Sequence, residues 1–177
     1  MKISFQGELG SYSHQACCEA FPDAEPLPCR TFEGAMERAK GGESKYAIIP
    51  VENSTYGRIA DIYYLLPESG LFIIREHFLR VHINLLALPG VSIREVKSAM
   101  SHSVLLGQCR KFLAKNNIKG VSGVDTAGSA KLVSQNQDRT KAALASPLAG
   151  QIYGLESLVE EVEDMSNNTT RFLVMAN

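Results

Sequence analysis

The segment Leu71–Leu88 constrains this fold more than any other part of the chain. It is mostly apolar, yet Arg75, Glu76, His77, Arg80, His82 and Asn84 interrupt it, so it cannot cross a membrane. It is also too long for one ordinary strand of about five or six residues. Beyond Arg80 it alternates, with Val81, Ile83 and Leu85 on one face and His82, Asn84 and Leu86 on the other. The pattern predicts extended chain that leaves one sheet and enters another. The apolar run Arg171–Met175 then returns at the end of the sequence. Two lobes follow as an expectation, one from about 1–75 plus 158–177 and one from about 76–157.

Around this crossover, short β-branched runs alternate with helical segments. Strands are expected at Lys2–Phe5, Glu25–Cys29, Tyr46–Val51, Ser98–Met100, Lys119–Val124, Ala142–Ala145 and Arg171–Met175. Helices are expected from Ser11 to Phe21, Phe32 to Lys40, Ile59 to Leu66, Val104 to Lys115 and Ala127 to Gln135, and after Ser146-Pro147 up to Gly154. Pro50 predicts that its strand ends at a turn or sheet edge, and Pro67 predicts a helix stop. Such alternation indicates an α/β fold with mostly parallel sheets. A ligand would sit between the lobes, at strand C-termini and helix N-termini.

Composition excludes several classes. Eighteen Lys and Arg against nineteen Asp and Glu give a formal charge of −1, so no global basic field draws the chain to nucleic acid or anionic lipid. Cys17, Cys18, Cys29 and Cys109 show no repeated C-x-x-C spacing and no disulfide framework, and the adjacent Cys17 and Cys18 read as buried or half-buried thiols rather than a reactive pair. The opening MKISFQGELG reaches a polar loop after five residues and has no signal-peptide core. A cytoplasmic protein is the expectation. Gly7-x-x-Gly10 lacks the spacing of a dinucleotide or P-loop fingerprint, and His14, His77, His82 and His102 lack a metal spacing. No metal or cofactor is expected.

What stands out is four polar corners. Pro50-Val-Glu-Asn-Ser-Thr-Tyr-Gly57 leaves a strand with an acid, an amide and hydroxyls that can face an anion, or it is an ordinary turn with Asn53 as a cap. Ser101-His102-Ser103, with Gln108 two helical turns on, and Asp125-Thr126-Ala-Gly-Ser129 are two more, and most such corners are N-caps. The fourth is Asp164-Met-Ser-Asn-Asn-Thr-Thr-Arg-Phe172. Arg171 enters an apolar strand there and needs an anionic partner, either a protein carboxylate or a substrate carboxylate.

In this order the corners resemble the catalytic domain of the prephenate dehydratases. Gln6-Gly-Glu-Leu-Gly-Ser-Tyr-Ser-His-Gln-Ala16 is similar to the family's opening loop, and Ile49-Pro-Val-Glu-Asn-Ser54 with Gly57 to its P-[IV]-E-N-S-x-x-G motif. Asp125-Thr-Ala-Gly-Ser-Ala130 resembles its D-T-A-x-A-A corner, Ile152-Tyr-Gly-Leu155 a helix end, and Asn168-Thr-Thr-Arg-Phe172 its N-x-T-R-F signature. The family's S-H-P-Q-A-L-x-Q-C segment stands here as Ser101-His-Ser-Val-Leu-Leu-Gly-Gln-Cys109, without the Pro-Gln pair.

The resemblance implies a two-lobed fold of the type II periplasmic-binding-protein kind, with the site in the inter-lobe cleft. It implies conversion of prephenate to phenylpyruvate without a cofactor, as part of phenylalanine biosynthesis. Thr170 would donate to the departing ring hydroxyl and Arg171 would anchor a carboxylate. Asn53, Ser54, Ser101, Gln108 and Thr126 would supply neutral hydrogen bonds, and Phe172 would wall the ring. Glu52 and Asn168 would support these groups from behind. The substrate is the implied partner, with neither nucleic acid nor membrane, and a homodimer is compatible. Many relatives continue into an ACT domain that binds phenylalanine. No such segment is in this sequence, so phenylalanine is not expected to inhibit the chain through one. Arogenate as substrate, a non-catalytic small-anion binding module and, last, a cysteine hydrolase are the alternatives.

Overall fold

The alternation of short strands and helices is realised in a computed structural model that describes residues 1–177. In chain order the elements are β1 (Lys2–Gln6), α1 (Tyr12–Ala20), β2 (Glu25–Cys29), α2 (Phe32–Lys40), β3 (Tyr46–Asn53), β4 (Gly57–Arg58), α3 (Ala60–Glu68), β5 (Phe72–Arg80) and β6 (Asn84–Ala87). A 3₁₀ turn at Ile93–Glu95 precedes β7 (Ser98–Ser101), α4 (Ser103–Gln108), α5 (Arg110–Lys115), β8 (Lys119–Ser122), α6 (Thr126–Asn136), β9 (Lys141–Ala145), α7 (Pro147–Tyr153), β10 (Glu156–Val159) and β11 (Thr169–Ala176). The chain divides into two units. The first comprises Met1–Glu8, Tyr12–Val81 and Asn167–Asn177, and the second Leu9–Ser11 and His82–Ser166. The crossings thus fall at 81/82 and 166/167, not near 75 and 158. The reason is that β5 pairs with β11 as far as Arg80, while β10 pairs with β6.

The first unit holds a six-stranded sheet in the order β2-β1-β3-β11-β5, with β4 paired to β3. β1 is parallel to β2 and β3, but β11 is antiparallel to β3 and β5. The sheet is therefore mixed rather than mostly parallel, because β11 arrives from the other unit. Strand alternation gives it two apolar faces. Ile3, Phe5, Ile48, Leu79, Phe172 and Val174 pack against Ala16, Cys17 and Ala20 of α1. Ala47, Ile49, Val51, Leu173 and Met175 pack against α2 and against Ile62 of α3.

Pro50 does not end β3. It lies inside the strand, and the ladder to β11 steps from Phe172↔Pro50 to Arg171↔Glu52, leaving Val51 as an extra residue. A strand that must accommodate a missing N–H takes a bulge at that point. The extra residue shifts the phase of β3. Strict alternation would put Asn53 on the α2 face with Ile49 and Val51. After the bulge, Asn53 pairs with Thr170 on the α1 face, and Glu52 pairs with Arg171 on the other. Pro67 also fails to stop its helix at once, since it sits inside the last turn of α3, which ends one residue later at Glu68.

The second unit holds a five-stranded mixed sheet, β10-β6-β9-β7-β8, in which β7 is parallel to β8 and β9, and β6 antiparallel to β9 and β10. The helix expected from Val104 to Lys115 is two helices. Asp164 accepts the Lys111 N–H at 3.2 Å and its own N–H donates to Gln108 O at 2.7 Å, so it caps a fresh helix after Cys109. Ser146 caps α7 ahead of Pro147, and Gly154 ends it in the left-handed conformation. The Ser146 hydroxyl donates to Gly10 O at 2.6 Å. A Cβ at Gly10 (φ +87°) would stand 2.8 Å from Ala149 Cα, so this loop takes only glycine. No helix is long and apolar enough to cross a membrane. All four cysteines are free, and Cys18 is exposed, not half-buried.

Candidate functional site: a hydroxyl held by an asparagine turn

The end of β3 builds the first part of the site. Asn53 Oδ1 accepts the backbone N–H groups of Thr55 (3.0 Å) and Tyr56 (2.9 Å), the turn that a short amide side chain makes with its own following backbone. Those two donors fix which end of the amide is oxygen, so Nδ2 must face the other way. It donates to Asn168 Oδ1 at 2.7 Å and to Thr170 Oγ1 at 3.0 Å. Asn53 therefore makes a turn rather than capping the next helix, whose N-cap is Ile59. Asn168 and Thr170 are both buried.

Thr170 is the chemical consequence. Its oxygen accepts from Asn53, and no protein acceptor takes its proton. A hydroxyl that accepts one hydrogen bond becomes a better donor through polarisation along the chain. Asn53 thus leaves Thr170 with one directed, strengthened O–H to offer.

Arg171 belongs to the opposite face, because consecutive strand residues alternate. Its Nε donates to Glu76 Oε1 at 2.9 Å and its Nη1 to Glu52 Oε1 at 3.1 Å, with Nη2 also on Glu76 Oε1. Hydrogen bonds to Glu76 and then Glu52 raise its pKa further above the ordinary guanidinium value. The anionic partner that Arg171 needs is thus supplied by the protein. Strand alternation places Arg171 on the face opposite Thr170, with these two acids as its partners. A cavity of ≈ 370 Å³ opens on Arg171, Glu52, Arg58, Phe78 and the Asn53-Ser54 turn, and Thr170 is not among its walls.

Three further expectations change. Phe172 is 1 % exposed within the α1-side core, so it fills the interior and walls nothing. Ser54 Oγ donates to Asn167 O at 2.8 Å and accepts from Thr169 N at 2.9 Å. Together with the Ser54 N–H on Thr169 O, this staples the turn to the start of β11 and leaves no donor for a ligand. Ser101 is 0 % exposed and its hydroxyl donates to Leu144 O at 2.7 Å, satisfying a buried strand. Its neighbour His102 caps α4, accepting from Val104 N at 3.3 Å.

In the second unit, Thr126 opens α6 directly after the cap Asp125, which accepts the Gly128 N–H. Thr126 is half-buried, and its hydroxyl has no protein partner. Gln108 is half-buried at the last position of α4. Sequence reasoning misses Glu76. It reaches Arg171 only across the β5–β11 ladder, which no local motif announces. His14, one of four scattered histidines in the sequence, is buried and stacks on Phe5 with ring centroids 5.5 Å apart and planes 8° apart. Burial lowers its pKa.

Comparison with known proteins agrees with this architecture. The profile of the prephenate dehydratase family matches residues 3–177. A "Bifunctional N-acyl-homoserine lactone acylase/prephenate dehydratase" of Komagataeibacter europaeus is 41 % identical over 97 % of this chain and 61 % of its own length. "Arogenate dehydratase/prephenate dehydratase 1, chloroplastic" of Arabidopsis thaliana is 40 % identical over 99 % of this chain and 45 % of its own. The chain therefore spans about half to three-fifths of these relatives. The prephenate dehydratase of Arthrobacter aurescens, solved with L-Phe, superposes with a TM-score of 0.91 at 29 % identity, covering 100 % of this chain and 60 % of that one. A nutrient binding protein from Burkholderia cenocepacia bound to methionine shares the fold alone, at TM-score 0.53 and 9 % identity. With the profile covering nearly every residue and the N-x-T-R-F strand built around one available hydroxyl, this chain belongs to the prephenate dehydratase family.

Proposed function

We propose that the chain catalyses the decarboxylating dehydration of prephenate to phenylpyruvate, with Thr170 as the donor to the departing hydroxyl. The observation that carries this reading is the undonated Thr170 proton, held in direction by Asn53. In the reaction the ring carboxylate leaves as carbon dioxide. Its bonding electrons aromatise the ring, and the ring C–O bond breaks with its pair on oxygen. The oxygen leaves as water once it gains a proton. A threonine hydroxyl is too weak an acid to supply that proton alone. It stabilises the charge that develops on oxygen, with solvent as the final proton source.

The remaining polar groups fit a site that must not over-stabilise a carboxylate whose charge has to leave. Thr126, with its unpartnered hydroxyl, and Gln108 are the candidates for neutral contacts to substrate. Asn53 and Asn168 serve Thr170 rather than the substrate. A second reading, arogenate, is favoured by the names of the relatives, among them arogenate dehydratase 2 of Petunia hybrida at 38 % identity. Free thiols throughout support a reducing, cytoplasmic setting. The test is incubation with prephenate and, separately, with arogenate. Phenylpyruvate from the first is the expected product. Phenylalanine from arogenate alone would replace the first reading with the second, and no product from either would overturn both.

A further inference from the structure

The stretch from Val104 to Lys115 carries no proline, and its buried residues Leu105, Cys109 and Leu113 recur every fourth position along one stripe. Such a sequence should run as one helix, yet α4 stops at Gln108 and α5 starts at Arg110. Between them the Cys109 backbone has φ −117° and ψ 20°, against about −63° and −42° in a continuous helix. The cause is Asp164, far along the chain. The Lys111 N–H, which a continuous helix would give to Gly107 O, goes to the two carboxylate oxygens of Asp164 at 3.2 Å each. Gln108 O, which would accept from Phe112, accepts the Asp164 N–H at 2.7 Å. One residue of a distant segment thus occupies two neighbouring rungs of the helix ladder.

The break serves Gln108 rather than Cys109. Cys109 is 0 % exposed, and burial, followed by the charges of Asp164 and Glu163, pushes its thiol pKa up, which keeps it protonated and inert. Gln108 is half-buried at the last position of α4, where helices ordinarily fray, and there the Asp164 N–H holds its carbonyl. Asp164 is itself held. The Val162 N–H donates to Ile83 O at 2.8 Å, and the Glu163 carboxylate, with a side chain 5 % exposed, accepts the Ile83 N–H at 2.9 Å. The clamp on Gln108 is therefore part of a fixed segment rather than a loose surface side chain. The same segment reaches Thr170 six residues later.

We propose that Asp164 is a positioning residue: by breaking the helix at Cys109 and holding the Gln108 backbone, it sets the Gln108 amide for its contact with substrate. This rests on the reaction proposed above, in which Gln108 supplies a neutral hydrogen bond. Asp164 acts through Gln108, since its carboxylate is occupied by the Lys111 N–H. Without the carboxylate, the Lys111 N–H returns to Gly107 O, α4 and α5 tend to fuse into one helix, and Gln108 loses its place at a helix end.

Steady-state kinetics on prephenate test it. Asp164→Ala should raise KM about three- to tenfold, as loss of one neutral hydrogen bond to substrate does, with kcat changed by less than about twofold. Asp164→Asn keeps a side-chain oxygen for the Lys111 N–H and should bring KM back to within about twofold of the parent. In a Gln108→Ala background, Asp164→Ala should raise KM no further, because the residue it positions is gone. A purely structural role would lower the urea midpoint in both backgrounds and leave KM alone. Circular dichroism confirms folding, and if Asp164→Ala does not fold, Asp164→Ser carries the same comparison. Parent KM in the folded variant, no rescue by Asp164→Asn, or KM effects that multiply in the double variant would each overturn the role of Asp164 alone. A parent chain that turns over neither prephenate nor arogenate overturns the reaction itself, and this role with it.

Discussion

Replacing Asn53 by Asp separates the two jobs that one amide performs. The carboxylate keeps an oxygen where Oδ1 accepts from Thr55 and Tyr56, so the turn survives. The group that donated to Thr170 Oγ1 at 3.0 Å becomes an acceptor. Thr170 must then donate its own proton to the new carboxylate, and the hydroxyl is no longer available to a leaving group. A hydrogen bond to a charged acceptor is worth about 1.5–3 kcal/mol. Breaking it before each turnover lowers kcat by roughly ten- to a hundredfold. Asn53→Ala removes the turn but leaves the Thr170 proton free, so kcat should be lower in Asn53→Asp than in Asn53→Ala when both are folded. Protonating the new carboxyl restores a donor, so the Asn53→Asp variant should recover activity as pH falls toward about 4. Steady-state production of phenylpyruvate across pH reads both effects. Parent-level kcat in Asn53→Asp would refute the reasoning, because Thr170 would then not need its proton.

Other outcomes follow from the same geometry. Arg171→Met should leave KM for prephenate unchanged and lower the urea midpoint, because Glu52 and Glu76 both lose the guanidinium they share. Phe172→Ala should cost about 3–5 kcal/mol of unfolding free energy as a core cavity, read by urea denaturation, rather than alter substrate affinity. His14 has a folded pKa lowered from 6.5 by burial, so the unfolded state binds the proton first. Its contribution to stability is complete above about 6.5 and is lost as pH falls from there toward the lower folded pKa, and His14→Gln should flatten that slope in the urea midpoint.

Much of this molecule is legible as sequence. The mixed polarity of Leu71–Leu88 announces the change of sheet, since β5 and β6 do lie in different sheets. Ser146-Pro147 and Gly154 mark α7 at both ends, because capping chemistry is local. What escapes depends on partners distant in sequence. The mixed character of the first sheet comes from β11 arriving after the second unit. The bulge that seats Asn53 beside Thr170 is visible only once β3 and β11 are in register. Phe172 reads as a site wall because the motif places it next to Arg171, yet strand alternation sends it into the core. The pairing of Arg171 with Glu76 is not legible because Glu76 lies far away along the chain. Ser54 and Ser101 carry the right chemistry for binding, but backbone groups that only folding brings near already occupy them.

The central claim is that the Thr170 hydroxyl assists departure of the ring hydroxyl, and Thr170→Val tests it with the smallest change of shape. Steady-state kinetics on prephenate should show kcat lower by on the order of a hundredfold, matching the loss of a charge-assisted hydrogen bond of about 2–3 kcal/mol, with KM nearly unchanged because the contact forms chiefly in the transition state. Turnover by folded Thr170→Val at the parent rate would contradict the account.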